Sequence, residues 1–109
     1  MKYLLYGILV IPVITNAATV SWYGPGFHGK RTANGEVFNQ NALTCASNSH
    51  KMGTKLLVTN PATNKSVVVK VNDTGGFKKY GRTLDLSKAA FHRIAPLNQG
   101  IVKVKIQEL

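Results

Sequence analysis

Ser66-Val67-Val68-Val69-Lys70-Val71-Asn72-Asp73-Thr74-Gly75-Gly76 is the stretch on which the fold class turns. From Ser66 to Asn72 it is rich in β-branched side chains, whose restricted rotamers suit a pleated strand better than a helix. The glycines after Asp73 then break the strand. Upstream, Asn60-Pro61-Ala62-Thr63-Asn64 reads as a turn, Lys55 to Thr59 as a strand and Leu43 to Ala46 as a shorter one. Further back, Thr19 to Tyr23 alternates Val20 and Trp22 against Thr19, Ser21 and Tyr23, before Gly24-Pro25-Gly26 interrupts it and an irregular segment runs through Asn41. Downstream, Ser87 is placed to cap a helix with Ala89, Ala90, Phe91 and Ile94 on its apolar face, ending before Pro96. A last strand, Ile101 to Ile106, sets Val102, Val104 and Ile106 against Ile101, Lys103 and Lys105, so one face is apolar and the other cationic. About six short strands and one helix in a chain this small predict an all-β closed barrel, because closure removes edges that could not otherwise be covered.

The chain has 109 residues, fourteen Lys and Arg against four Asp and Glu, and a formal charge of +10. It opens with Met1-Lys2, an apolar run from Tyr3 to Ile14, and Thr15-Asn16-Ala17-Ala18, the order of a secretory signal peptide. Residues 1–17 are therefore expected to be removed, and residues 18–109 to form one exported domain, periplasmic or secreted, expected to be monomeric. The run is short of the roughly 20 apolar residues of a membrane span. With no lipobox cysteine, no membrane anchor is expected after cleavage. The single cysteine, Cys45, has no partner for an internal disulfide, so packing must hold the domain together. It reads as a small buried hydrophobe, with a thiol nucleophile as the sharper alternative.

The positive charge implies a polyanionic neighbour, such as wall glycan, an anionic lipid surface or nucleic acid. The basic residues are spread without a block or a recognition signature, and export argues against nucleic acid, so none is expected as a partner. The spacing of His28, His50 and His92 matches no metal-ligand pattern, and neither a metal nor a cofactor is predicted.

Three of the four carboxylates lie in turn-rich motifs and are the candidate catalytic groups: Glu36 in Thr32-Ala33-Asn34-Gly35-Glu36, Asp73 after Val71-Asn72, and Asp85 in Gly81-Arg82-Thr83-Leu84-Asp85-Leu86-Ser87. Asp73, at a strand end, is poised to face a groove as a proton carrier, or to cap the glycine loop. Asp85 would point away from both flanking leucines in a strand, or serve as a structural acid near the helix, with Arg82 as a local partner. Glu36 follows an Asn-Gly turn signal above Phe38, as a site acid or a solvated loop residue. Trp22-Tyr23-Gly24-Pro25-Gly26-Phe27-His28-Gly29 mixes aromatics with glycines, a composition suited to stacking on sugars or to core packing by Trp22. His92 reads as a helix surface residue.

Taken together, Ser21-Trp22-Tyr23-Gly24, His28-Gly29, Thr32 to Glu36, Asn41-Ala42-Leu43-Thr44, Gly53-Thr54, Val58-Thr59-Asn60, Val71-Asn72-Asp73 and Gly81 to Ser87 resemble the catalytic domain of the rare lipoprotein A family, in order and across the whole expected mature chain. That resemblance implies a six-stranded double-psi β-barrel, related to expansins and barwin-like proteins. It also implies a lytic transglycosylase of bacterial or phage origin. Such an enzyme cleaves peptidoglycan between N-acetylmuramic acid and N-acetylglucosamine without water and leaves a 1,6-anhydro end. Glycoside hydrolases generally use two carboxylates, whereas a lytic enzyme can use one acid that protonates the glycosidic oxygen and then accepts the proton of the sugar's 6-hydroxyl. The resemblance assigns that role to Asp73, with Asp85 as the other candidate and Glu36 and Asp85 lining the cleft. Trp22, Tyr23, His28, Asn34, Ser47 and Asn72 are the expected substrate contacts. One departure stands out: Ser47 occupies a position where the family often carries a histidine, with His50 the nearest. The alternative is a non-catalytic glycan-binding or expansin-like wall-loosening module, since a shared fold does not establish catalysis. A thiol peptidase built on Cys45 with His50 or His92 is a third reading.

Overall fold

The computed structural model describes residues 15–75 and 83–109. Among the described residues, six strands, β1 (Thr15–Trp22), β2 (Thr44–Ser47), β3 (Lys55–Asn60), β4 (Lys65–Asp73), β5 (Leu84–Leu86) and β6 (Ile101–Glu108), and one helix, α1 (Lys88–Ile94), make up the regular structure, with short 3-10 turns at Pro25–Phe27 and Leu97–Gln99. The strands close into a barrel in the order β1-β5-β2-β4-β3-β6. Closure is carried by the antiparallel seam of β1 with β6, where Val20 lies opposite Val102 and Ala18 opposite Val104.

Alternation sorts the side chains as the sequence predicts. Val102, Val104 and Ile106 are buried while Ile101, Lys103 and Lys105 are exposed. Leu84 and Leu86 turn inward with no exposed surface, leaving Asp85 on the outside. The interior is completed by Val20, Cys45, Leu56, Val58, Val69 and Val71, and α1 packs against it through Ala90, Phe91 and Ile94. Each fully buried aliphatic or aromatic side chain contributes about 1.5–3 kcal/mol relative to exposure.

The helix and the 60–64 turn are set locally. Ser87 caps α1, its hydroxyl accepting from the Ala90 amide at 3.2 Å and donating to the Ala42 carbonyl. The helix stops at Ala95, before Pro96. In the turn, the Asn60 carbonyl accepts from the amide of Asn64, whose φ of 61° is a left-handed conformation that asparagine tolerates. The buried Asn60 side chain donates to the Ile94 carbonyl at 2.8 Å, tying the β3–β4 turn to the end of α1.

β1 begins earlier than the sequence reading placed it. Thr15, Asn16 and Ala17 pair with Gln107, Ile106 and Lys105, because β6 is long enough to offer them partners. Most of the expected signal peptide, residues 1–14, lies outside the described residues, as do Gly76, Gly81 and Arg82.

Candidate active site

Strand register brings the acids to one outer face. Ser21 of β1 lies beside Asp85 of β5, Asp85 opposite Ala46 of β2, and Ala46 beside Asp73 of β4. Residues in register on adjacent strands point to the same side, so Asp85 and Asp73 flank Ala46 two strands apart, with Cα atoms about 10 Å from each other. The pairing of β2 with β4 contains a shift: Cys45 meets Val71, but the next residue, Ala46, meets Asp73. A strict period of two would have turned Asp73 inward with Val71. The extra residue, Asn72, re-aims the strand end outward, which is how an irregularity in a sheet edge serves a site.

Asp73 is held on three sides. Its Oδ1 accepts from the amides of Ala33 and Thr74, each at 2.9 Å, and its Oδ2 accepts from the Tyr23 phenol at 3.3 Å. Thus the Asx-type contact with the following loop and the groove-facing position, alternatives in sequence, coexist. Tyr23, Phe38 and Ala46 form a small second core beneath the acids, with the two rings stacked at 4.5 Å between centroids. Burial first, and then the negative charge of Asp73, push the Tyr23 phenol well above its ordinary range, with Asp85 adding to the effect. Tyr23 therefore stays protonated and remains a donor. Asp85 accepts a hydrogen bond from the Ser21 hydroxyl; the anticipated partner Arg82 falls outside the described residues.

The loop 32–36 forms the rim. Asn34 Oδ1 accepts from the Thr32 hydroxyl at 2.6 Å and the Glu36 amide at 3.1 Å, while Gly35 takes a φ of 89° that a side chain would strain. Glu36 leans across to β4, where Lys70 Nζ lies 2.8 Å from Oε2 and Asn72 Nδ2 3.1 Å from Oε1. The Lys70 contact first, then the amide hydrogen bonds, lower the Glu36 carboxyl to about 2. Glu36 is thus a fixed anion at neutral pH and not a proton donor. Asn72 is buried, and its Oδ1 has no hydrogen-bond partner among the described residues.

The remaining expected residues divide. Trp22 alternates to the other face, half-buried against Phe91 with its indole N–H on the Leu97 carbonyl at 3.1 Å, so it packs the helix to the barrel and does not join the acids. His28 is exposed in the loop, its Nδ1 accepting from the Gln40 amide. Ser47 is buried, its hydroxyl accepting from the amides of Ser49 and His50 at 3.2 and 3.1 Å. His50 points elsewhere, onto Glu108 at 2.9 Å. Cys45 is fully buried and burial pushes its thiol up to about 12, which disposes of a thiolate nucleophile. His92 is exposed on α1. Among the described residues, no three of His, Cys, Asp and Glu converge as a metal would require. Sequence reading missed Ser21, Lys70 and the Ala33 amide; Ser21 and Lys70 carried a signal, since each alternates outward beside a buried valine.

A family model described as lytic transglycolase matches residues 15–106. The chain belongs to that family. The chain is 52% identical over 86 residues to a probable endolytic peptidoglycan transglycosylase RlpA of Synechocystis, covering 79% of this chain and 26% of the relative. It is 50% identical over 98 residues to the endolytic peptidoglycan transglycosylase RlpA of Rickettsia felis, covering 87% and 42%. The chain thus spans less than half the length of these curated relatives. Among solved structures, the Streptomyces papain inhibitor superposes with a TM-score of 0.69 at 22% identity, covering 92% of this chain and 99% of that one. A Clavibacter michiganensis expansin solved with cellohexaose does so with a TM-score of 0.70 at 23% identity, covering 88% and 50%. These likenesses speak to the fold, and the double-psi β-barrel expected from the sequence is the fold of this chain.

Proposed function

We propose that this protein is a lytic transglycosylase that cleaves the glycan strand of peptidoglycan endolytically, between N-acetylmuramic acid and N-acetylglucosamine, and leaves 1,6-anhydro ends. The observation that carries the reading is the setting of Asp73: Oδ1 is occupied by two backbone amides, and Oδ2, with its one long contact to Tyr23, is left to exchange a proton. The names of the relatives point to the same substrate.

In the proposed reaction Asp73 gives its proton to the glycosidic oxygen as the bond from that oxygen to the muramic C1 breaks. The 6-hydroxyl of the same sugar then attacks C1, and its proton returns to Asp73. No water enters, and the acid ends as it began. The fixed negative charge of Glu36 suits the positive charge that develops at C1, and Asp85 lines the same face. Asn34, Asn72 and His28 line or brace the rim, and Tyr23 positions Asp73 from below. The protein would act as an exported monomer, periplasmic or secreted, after loss of residues 1–17.

The test is a digest of purified peptidoglycan by the exported protein beside its Asp73→Asn variant, with soluble products weighed by mass spectrometry. Anhydro-ended fragments from the wild type alone are expected. Fragments from both would transfer the proton to Asp85, and reducing ends would mean hydrolysis. Binding without products would favour the expansin-like module, the reading to which Ser47, with its hydroxyl turned into its own loop, lends weight.

A further inference from the structure

Lys103 and Lys105 stand on the outward face of β6, both exposed, and neither forms an ion pair among the described residues. Two residues apart on a strand, their Cα atoms are about 7 Å from each other and their side chains leave in the same direction. Two hollows flank Lys103. One, of about 440 Å³, is walled by Thr19, Pro61, Thr63, Gln99 and Ile101. The other, of about 340 Å³, shares Thr19, Pro61 and Lys103 and continues to Lys105. Together they make one groove along the β1–β6 seam.

This groove adjoins the acid face without including it: Ile101 in its wall lies opposite Ser21, whose other neighbour is Asp85. In the closed order β1-β5-β2-β4-β3-β6, its β6–β3 side lies across the barrel from β5 and β2, while its β1 side, at Thr19, is one strand from β5. No described carboxylate lines the groove, and Glu108, at the end of β6, is engaged with His50. The lining combines an apolar wall from Pro61 and Ile101, hydroxyl and amide groups from Thr19, Thr63 and Gln99, and two ammonium groups. An apolar wall suits the face of a sugar ring, polar groups suit its hydroxyls, and lysines act as point charges for anions without demanding the planar fit of arginine. A concave seam takes a polymer chain in preference to a flat lipid surface.

We infer that the β1–β6 groove is a second, non-catalytic site for an acidic glycan: a wall strand whose peptide carboxylates pair with Lys103 and Lys105 while another strand lies across Asp73. The inference rests on peptidoglycan being the substrate. It would give the enzyme a hold on the wall that persists through each cleavage.

The experiment is co-sedimentation of the purified exported protein with isolated peptidoglycan sacculi, beside Lys103→Gln/Lys105→Gln and Lys103→Arg/Lys105→Arg. The glutamine pair is expected to weaken binding about tenfold, two exposed charge contacts at roughly threefold each, while the arginine pair binds as wild type. Sacculi whose carboxylates have been amidated should bind wild type and the glutamine pair equally weakly. The glutamine pair should still release anhydro ends from short soluble glycan fragments. Equal sedimentation of wild type and the glutamine pair would overturn the inference, as would undiminished binding to amidated sacculi. It would also fall if the glutamine pair lost binding only to phosphatidylglycerol vesicles, which would make the face a membrane contact. Absence of anhydro products from the wild type, with the lysine effect intact, would instead remove the transglycosylase reading and leave the groove as a wall-binding site.

Discussion

Tyr23 presents its phenol to Asp73 Oδ2 at 3.3 Å from a ring stacked on Phe38, so a single buried side chain joins the floor of the site to its acid. Tyr23→Phe keeps the ring and removes the donor. It is expected to lower kcat about tenfold with KM nearly unchanged, since one hydrogen bond contributes roughly 0.5–1.5 kcal/mol and about 1.4 kcal/mol is tenfold in rate. Steady-state kinetics on soluble glycan checks this, and a rise in KM alone would return Tyr23 to the role of substrate contact. Glu36 offers a second test at the same scale. Lys70 and Asn72 hold its carboxyl at about 2 against an ordinary 4.5, so their preference for the anion is fully present above pH 4.5 and lost as the pH falls toward 2. Carboxyl NMR should place the Glu36 midpoint near 2 in the wild type and closer to 4.5 in Lys70→Met; the same midpoint in both would refute the ion pair as the main cause. These residues were legible as polar and turn-bound in the sequence. Their partners were not, because Asp73 finds Tyr23 fifty positions away and Glu36 finds Lys70 across thirty-four.

α1 was the most legible element, because its start, its buried face and its stop are local: a serine hydroxyl on the Ala90 amide, Ala90, Phe91 and Ile94 on one side, and Pro96 beyond the end. Ser87→Ala removes both the cap and the link to the Ala42 carbonyl, and should cost about 1–2 kcal/mol in urea unfolding. Phe91→Ala, which empties a fully buried site beside Trp22, should cost about 3–5 kcal/mol. If Phe91→Ala proved no more damaging than Ser87→Ala, the helix would be an appendage and not a part of the core. The strands were legible in number and in alternation, above all β6. Their ends were less so: β1 reaches back to Thr15 only because β6 supplies partners.

At the scale of the whole molecule, closure depends on the β1–β6 seam, and the expected cleavage after Ala17 falls inside it. Cleavage there would remove Thr15, Asn16 and Ala17 and leave Ala18 to Ser21 paired with Val104 to Ile101. The exported protein is expected to begin at Ala18 by intact-mass measurement and to unfold in a single transition. A start at or before Thr15 would mean that the whole strand is kept.

By itself the sequence determined the all-β class, the helix and its cap, the apolar face of β6 and the small set of acids that are candidates for chemistry, because periodicity, turn residues and composition are properties of neighbouring positions. Only the tertiary structure decided which acids meet and what surrounds them. A one-residue shift between β2 and β4 turns Asp73 outward, register lines it up with Ala46, Asp85 and Ser21, and alternation sends Trp22 to the helix instead of the site. Each of these depends on how distant strands pair, and pairing is fixed by burying the barrel's whole interior at once, which no local stretch of the chain encodes.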